Sequence, residues 1–312
     1  MTKFAGRENK GTATVVKHTG SHYLLCELPQ WQPFEAVIRG KLRLTGSKST
    51  NPVAVGDRVT FENGVITGVL PRKNYVIRRS TNLSRENHII AANLDMVFLV
   101  MTVILPETKL AFVDRFLVTC EAYGIHPVII MNKTDLYTEP ELQEQTEWMA
   151  EIYRNAGYEV VGTSTRTMQG IDRVRELCRS GVCLFSGQSG VGKSSLLKAL
   201  DPALNPKIGE ISISHLQGKH TTTFYEMHPV SSGGFVIDTP GIRGFGLVDF
   251  ESGELSKYFP EMLKVMDNCR YMPCTHTHEP GCAVKEALER GEISAERYGS
   301  YLGMLEEETK YR

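Results

Sequence analysis

The stretch Val182–Leu200, VCLFSGQSGVGKSSLLKAL, decides the fold of this 312-residue chain. Its first five residues are apolar or small and predict a buried strand, and Lys193–Leu200 predicts a helix. Between them, Gly187–Ser194 matches the pattern G-x-x-x-x-G-K-[ST], whose glycines let backbone N–H groups curl around phosphate oxygens at a helix N-terminus. A strand, a glycine-rich loop and a helix in this order predict an α/β nucleotide-binding domain.

This loop supplies the groups that phosphate chemistry requires. Lys193 is expected to reach the β- and γ-phosphates and to take part in catalysis, and Ser194 is expected to ligate Mg²⁺. The nucleotide contacts predicted in this stretch are Gly187, Gln188, Ser189, Gly190, Val191, Gly192, Lys193, Ser194 and Ser195.

Two motifs downstream of the loop complete the predicted phosphate and magnesium site. The sequence D-T-P-G ends a predicted strand, so we expect Asp238 to hold Mg²⁺ and the Gly241 N–H to meet the γ-phosphate. Between the two motifs lies Gly218–Thr223, GKHTTT, where Thr221 or Thr222 is expected to close on the nucleotide. Thr222 is the candidate magnesium ligand and a candidate catalytic residue, and the alternative is a threonine-rich strand start.

The motif N-K-T-D at 132–135 follows a predicted strand and indicates guanine recognition. The Asp135 carboxylate can accept hydrogen bonds from the ring N–H and the exocyclic amino group of guanine, and adenine lacks these donors. Asn132 is expected to brace the loops, and the Lys133 stem is expected to pack on the base. Ser164 and Thr165 stand where GTPases usually carry S-A-K, and a backbone N–H there is expected to complete the site.

The order of these motifs along the chain is unusual. A typical GTPase reads phosphate loop, threonine switch, D-x-x-G, N-K-x-D and S-A-K, whereas here the guanine motifs precede the phosphate loop. Chain termini tend to lie close together at a domain surface, so joining old termini and opening new ones preserves a fold. The sequence therefore predicts a circularly permuted GTPase domain with a mostly parallel sheet, spanning residues 73–248.

Residues 1–72 are predicted to form a separate all-β domain. Gly, Pro, Asn and Ser break short β-branched and aromatic segments at close intervals, which is typical of a small barrel. An OB-fold that binds RNA is predicted, and an SH3-like barrel is the alternative. The predicted strands are Thr12–His18, Tyr23–Glu27, Phe34–Ile38, Arg58–Glu62 and Gly64–Val69. Residues 1–80 hold 13 Lys and Arg against 5 Asp and Glu, in a chain with a net charge of −1. This asymmetry indicates a polyanionic partner or, alternatively, a solvated basic surface.

Residues 249–312 are predicted to be mainly helical and to bind a metal. Cys269, Cys274, His276 and Cys282 offer three thiolates and an imidazole, a set that suits one structural Zn²⁺ in tetrahedral geometry. His278 is a spare candidate, and unliganded thiols are the alternative. The cysteine pattern and the lack of an apolar leader or a long apolar run disfavour a disulfide scaffold, a secreted protein and a membrane protein. Cytoplasmic localisation and a monomer are expected.

These features together resemble a known family. The basic barrel, the permuted order of motifs and the Cys–His cluster are similar to those of the bacterial RsgA (YjeQ/YloQ) family of small ribosomal subunit biogenesis GTPases, over essentially the whole chain. The segments Ala91–Asp95 and Gly56–Val59 are similar as well. The resemblance implies a late-acting assembly factor that hydrolyses GTP to GDP and phosphate, is stimulated by the small subunit and leaves on hydrolysis. It also implies that the barrel and the zinc segment contact ribosomal RNA.

The usual water-orienting residue is missing from its place. In Ras-like GTPases a Gln follows D-x-x-G, but here the position holds Ile242, whose apolar side chain cannot orient water. We expect His220 to take this role. Alternatively, His220 is a surface histidine without a catalytic role, and ribosomal RNA or K⁺ orients the water.

Three other functions remain open from the sequence. They are a binding module in which the nucleotide is a passive lock, an adenine-nucleotide phosphotransferase and a GTPase that acts on the large subunit. A guanine site with room at the ribose would also admit guanosine tetra- or pentaphosphate.

Overall fold

The computed structural model describes residues 10–19, 22–38, 53–79, 87–204, 225–238 and 253–310. The chain divides into two compact units. The first combines Met1–Met96 with Arg175–Phe185 and Leu200–Pro240, and the second combines Val97–Val174 with Ser186–Ala199 and Gly241–Arg312. The boundaries 1–72, 73–248 and 249–312 of the three functional parts remain a prediction.

The N-terminal strands close into a five-stranded barrel. Its strands are β1 (Lys10–Thr19), β2 (His22–Cys26), β3 (Phe34–Ile38), β4 (Arg58–Glu62) and β5 (Val65–Val69). Antiparallel pairs join β1 to β2, β2 to β3, β4 to β5 and β1 to β4, and a parallel pair joins β3 to β5. This closed five-stranded arrangement is that of an OB-fold. The strand predictions agree with it to within two residues at each end.

The segment Gly56–Val59 has a structural role at the barrel. Asp57 is fully buried, and its carboxylate accepts hydrogen bonds from the Arg72 guanidinium at 2.6 and 2.7 Å. Lys73, next in the chain, pairs with Asp95 at 3.0 Å. These two basic residues of the N-terminal region are therefore engaged within the protein itself.

Strands and helices alternate from residue 96 onward, after a two-stranded antiparallel sheet of β6 (Tyr75–Arg79) and β7 (Asn87–Ala92). In chain order they are β8 (Met96–Met101), α1 (Leu110–Ala122), β9 (His126–Asn132), α2 (Pro140–Ala156), β10 (Glu159–Thr163), α3 (Ile171–Leu177), β11 (Val182–Ser186), α4 (Lys193–Leu200), β12 (Glu226–Pro229) and β13 (Phe235–Asp238). In the second unit β10 runs parallel to β9, and β8 lies on the other side of β9. In the first unit β13 is parallel to β11 and antiparallel to β12, which in turn pairs with β1 of the barrel.

The apolar run after residue 96 forms a shorter strand than the sequence predicts. The apolar run Met96–Leu105 is typical of a buried parallel strand, but β8 ends at Met101. The chain turns there because the Thr102 hydroxyl donates to the Pro106 carbonyl at 2.5 Å and the Thr108 N–H donates to the Thr102 carbonyl at 3.0 Å. The turn brings the segment between β8 and α1 to the nucleotide loops described below.

The C-terminal segment is helical and shares a core with α1. Its helices are α5 (Pro260–Leu263), α6 (Ala283–Glu289) and α7 (Ala295–Lys310), with 3-10 turns at Leu255–Tyr258 and Met266–Asn268. Val118 of α1 packs in the same buried cluster as Phe259, Met262 and Tyr301 of this segment. No helix among the described residues combines the length and the hydropathy that crossing a membrane requires.

Candidate nucleotide site and metal centre

Glycines give the predicted phosphate loop its shape. Gly187 has φ +146°, and a Cβ there would lie 2.2 Å from the Val100 carbonyl oxygen, so a side chain would force the backbone to move. Lys193, the first residue of α4, reaches back over the loop. Its Nζ donates to the carbonyl oxygens of Gly187 and Gln188, both at 2.7 Å. The loop is thus a tight turn placed directly before a helix N-terminus, which favours anions.

Asn132 connects this loop to the predicted guanine motif. It ends β9 and is 1% exposed. Its Nδ2 donates to the Val191 carbonyl at 2.9 Å, and the Thr163 hydroxyl donates to its Oδ1 at 2.9 Å. A Cβ on Gly192 would lie 2.5 Å from the same amide nitrogen. Asn132 can therefore make this hydrogen bond only because residue 192 is a glycine and leaves room for the amide group.

Lys133 makes a second contact between the two motifs. Its backbone is left-handed, with φ +64°. From there its Nζ donates to the Gly190 carbonyl at 2.7 Å and to the Leu105 carbonyl. The lysine stem therefore lies alongside the phosphate loop, although its predicted packing on a base stays a prediction.

Asp135 and Ser164 come together from separate loops. The Ser164 hydroxyl donates to Asp135 Oδ1 at 2.6 Å. Ser164 is fully buried, and its Oγ also accepts the N–H groups of Arg166 and Thr167 at 3.2 and 3.1 Å, which turns the chain after β10. Thr165 lies in this turn. The two predicted guanine segments are thus hydrogen-bonded to each other, and this bond holds the Asp135 carboxylate in place.

The other predicted contacts are partly outside the described residues. Gln188 and Ser189 lie on the phosphate loop, and Ser194 and Ser195 lie in the first turn of α4. Asp238 ends β13, but its side chain is not among those described. Outside the described residues lie His220, Thr221, Thr222 and Gly241. The magnesium and catalytic roles given to these residues stay predictions.

Sequence reasoning missed Tyr137, which supports the guanine motif. The Tyr137 hydroxyl donates to the Asn132 carbonyl at 2.7 Å and accepts the Val103 N–H at 3.0 Å. Burial raises the pKa of this phenol, so it stays neutral and able to donate. In the sequence, this role is indicated only by the position of the tyrosine, two residues after the N-K-T-D motif and before α2.

The four predicted metal ligands lie together. Their ligand atoms are all within 4.8 Å of one another. The Cys269 and Cys282 sulfurs are 4.0 Å apart, and His276 Nδ1 lies 3.6 and 3.4 Å from them. Tetrahedral zinc with Zn–S of ~2.3 Å and Zn–N of ~2.05 Å requires S···S of about 3.8 Å and N···S of about 3.6 Å. The set therefore fits Zn²⁺ and includes His276 rather than His278.

Neighbours that the sequence did not reveal hold the ligand loop in place. The Glu279 carboxylate accepts the N–H of Thr275 at 2.7 Å and its hydroxyl at 2.6 Å. Burial alone would raise the pKa of Glu279, but these hydrogen bonds outweigh it and hold the pKa well below its usual range. From α7, the Tyr298 and Tyr301 hydroxyls donate to the carbonyls of His276 and Thr275 at 2.6 and 2.7 Å.

Two of the predicted ligands, Cys274 and Cys282, are thiols that stay protonated unless a cation binds. Burial raises the pKa of Cys274 to about 12 and also raises that of Cys282. Zinc takes thiolates, so its binding releases these protons and becomes tighter as the pH rises.

Known proteins with similar sequences show which family this chain belongs to. Residues 69–248 match the sequence model of the family described as RsgA GTPase, which is more than half of the chain. The chain belongs to the RsgA GTPase family. A relative from Bacteroides fragilis, named small ribosomal subunit biogenesis GTPase RsgA, is 50% identical over 305 residues, covering 96% of this chain and 98% of that protein.

Solved structures of similar proteins share the whole fold. YjeQ from Thermotoga maritima matches with a TM-score of 0.80 at 35% identity, covering 97% of this chain and 100% of the other. YloQ, described as a circularly permuted GTPase, matches with a TM-score of 0.74 at 27% identity, covering 100% of this chain and 99% of the other. The predicted fold class is therefore confirmed: a circularly permuted GTPase domain with an N-terminal barrel and a helical, metal-binding C-terminal segment.

Proposed function

We propose that this chain is a GTPase that acts in the late maturation of the small ribosomal subunit, in the cytoplasm. It binds GTP with Mg²⁺, hydrolyses it to GDP and phosphate when the subunit stimulates it, and is then released. The observation that carries the proposal is the pair of hydrogen bonds from Asn132 to Val191 and from Ser164 to Asp135. They make the phosphate loop and the guanine segments parts of one site.

Guanine selection rests on Asp135. One of its oxygens is held by Ser164, which limits rotation of the carboxylate before any base arrives. A fixed carboxylate loses little entropy when it accepts the two donors of guanine. Adenine offers no such donors and leaves the carboxylate unpaired, so ATP is rejected.

Two kinds of groups promote GTP hydrolysis in this proposal: cations that hold the phosphates, and a group that orients the water or accepts its proton. Lys193 neutralises charge on the β- and γ-phosphates, and Mg²⁺, when bound at Ser194, Thr222 and Asp238, supplies further positive charge. His220 holds the attacking water in line or accepts its proton. K⁺ and the guanosine tetra- and pentaphosphates remain predictions from the sequence alone.

The barrel supplies the RNA contact in this proposal. A cavity of about 720 Å³ opens on the barrel between β1, β2, β3 and the β4–β5 turn, and Tyr23, Lys17 and His22 are among its lining residues. OB-folds bind single-stranded nucleic acid over their β2–β3 face and the adjoining loops, where cations and rings meet phosphates and bases. The position and the chemistry of the cavity both suit such a ligand.

GTP turnover by the purified protein tests the proposal. It is measured alone, with isolated small ribosomal subunits and with large subunits as a control. Strong stimulation by small subunits alone is expected. Stimulation by large subunits instead, or none with tight GTP binding retained, contradicts it and favours the large-subunit or the passive-lock function.

Two variants assign the roles within the site. Lys193→Ala is expected to weaken GTP binding about tenfold to a hundredfold, since a charge-assisted contact is lost. Lys198→Ala, an exposed lysine on the same helix, is the matched control. His220→Ala is expected to lower stimulated turnover by about 10²-fold or more while leaving GTP affinity nearly unchanged. Equal turnover would remove His220 from the mechanism.

A further inference from the structure

The barrel meets the GTPase strands at an ion pair. Lys17 of β1 is the register partner of Glu226 of β12, and Lys17 Nζ lies 2.8 Å from Glu226 Oε2. The two side chains are 29% and 36% exposed, so water and mobile ions reach them. Such an ion pair is weak, so Lys17 can leave Glu226 for an anion that binds it more strongly.

Glu226 occupies a sensitive position in the GTPase strands. On its other side its register partner is Asp238, the last residue of β13 and the predicted magnesium ligand. In sequence, Glu226 follows the Gly218–Thr223 motif within a few residues. Glu226 is therefore near in sequence to one of the two segments that are expected to respond to the γ-phosphate, and it pairs with the last residue of the strand that precedes the other.

Lys17 also belongs to the cavity on the barrel. It lines the space of about 720 Å³ together with His22, Tyr23 and Glu35. An RNA phosphate in this cavity would find the Lys17 ammonium already bound to Glu226. A phosphate and a carboxylate then compete for one cation.

We propose that the Lys17–Glu226 ion pair couples RNA in the barrel cavity to the nucleotide state of the GTPase. RNA withdraws Lys17 from Glu226, and any change of β12 that accompanies hydrolysis alters how readily Lys17 is released. By linkage, the RNA then changes nucleotide affinity by the same factor as the nucleotide changes RNA affinity. This inference rests on the proposed function, since it takes RNA and GTP as the two ligands.

The size of the coupling is bounded by the strength of the pair. Partly exposed ion pairs allow a difference of at most about fivefold between two states. The expected ratio of RNA affinities with a non-hydrolysable imido analogue of GTP and with GDP is therefore about two- to fivefold.

Variants at the two positions separate this coupling from a purely structural contact. The probe is a short fluorescein-labelled oligouridylate, titrated with the full chain in each nucleotide state at fixed salt, since salt weakens phosphate contacts. Glu226→Gln frees Lys17, so RNA affinity should rise and the ratio between nucleotide states should fall to one. Lys17→Met removes the cation, so RNA affinity should fall and the ratio should again be one.

A charge exchange and a matched control complete the test. Combining Lys17→Glu with Glu226→Lys keeps an ion pair but places an anion towards the cavity, so RNA affinity should stay low and the ratio should remain one. Lys73→Met, which removes the exposed pair with Asp95 in the same unit, should leave the ratio as in the wild type.

Four results overturn the inference. They are lower RNA affinity in Glu226→Gln, recovery of the ratio by the charge exchange, persistence of the ratio in either single variant and a wild-type ratio of one. Each is independent of the proposed function, because that function fails only if small subunits do not stimulate GTP turnover.

Discussion

The C-terminal segment and the barrel are attached to the GTPase elements by joints of opposite kinds. On α1, Asp114 Oδ1 lies 2.9 Å from the Arg297 guanidinium, which also holds Glu261 through two contacts of 2.7 and 3.0 Å. Arg297 is 1% exposed, and its guanidinium lies 4.7 Å from the centre of the Phe259 ring. The barrel is attached through the partly exposed Lys17–Glu226 pair on β12 and through the stack of Trp31 on Phe235 of β13.

The burial of the charges decides how each joint behaves. Burial alone would lower the pKa of Arg297, but the charges of Glu261 and Asp114 outweigh it and raise the pKa, so the guanidinium stays charged. Separating these groups would leave buried charges without partners, which costs about 3–5 kcal/mol. An exposed pair contributes about 1 kcal/mol or less. We therefore expect the C-terminal segment to move with α1, whereas ligands can open the barrel joint.

Among the predicted changes, removal of the metal is expected to destabilise the C-terminal segment the most. The ligands Cys269 and Cys282 are part of the same buried cluster as Phe259 and Tyr301, so the zinc site and the α1 joint share a core. Structural zinc contributes on the order of 10 kcal/mol in small metal-dependent domains. A strong chelator should release one zinc ion per chain and expose the amides of 269–282 and α6, as measured by hydrogen exchange. Zinc readdition is the control, and equal loss of protection in the barrel would contradict a local role.

Arg297→Met comes next and tests the buried joint directly. The variant should lose about 3–5 kcal/mol of stability, since Asp114 and Glu261 remain buried without their cation. Urea unfolding followed by circular dichroism measures the loss. Arg290→Met is the matched control, because Arg290 forms an exposed pair with Glu292 at 2.7 Å, and no measurable change is expected there.

A triple variant sharpens the same prediction. Replacing all three charges, with Asp114→Asn and Glu261→Gln added to Arg297→Met, removes the unpaired anions and should recover much of the lost stability. If the triple variant were as unstable as Arg297→Met, the loss would come from packing around Phe259 rather than from charge.

The sequence predicts the candidate sites but neither of the two joints, for a physical reason. The predicted phosphate, guanine and zinc contacts fall in short motifs whose spacing is fixed by local geometry, so the sequence alone predicts residues such as Gly187, Asn132 and Cys269. Arg297, Asp114 and Glu261 are distant in sequence and meet only after the helices pack. As single charged residues on amphipathic helices, they read as solvated positions.

The strand β12 was missed for a related reason. Glu226–Pro229 is four residues long and ends in a proline, so its sequence lacks the alternation that identifies a strand. It is a strand because β13 and β1 lie on either side of it. The barrel joint, which depends on this strand, was therefore invisible in the sequence.

The smallest expected effect is at the aromatic half of the barrel joint. Trp31 stacks on Phe235 with ring centres 5.7 Å apart, and such pairs contribute about 1 kcal/mol beyond the area they bury. Trp31→Ala removes this stack together with the buried apolar area of a half-buried ring, so it should lower the free energy of unfolding by about 2 kcal/mol, measured by urea unfolding. The chain has only one other tryptophan, Trp148, which is 43% exposed on α2, so Trp148→Ala is a matched control with no expected change. A loss in Trp31→Ala as large as that in Arg297→Met would mean that the barrel is held as firmly as the C-terminal segment, and the contrast between the joints would be wrong.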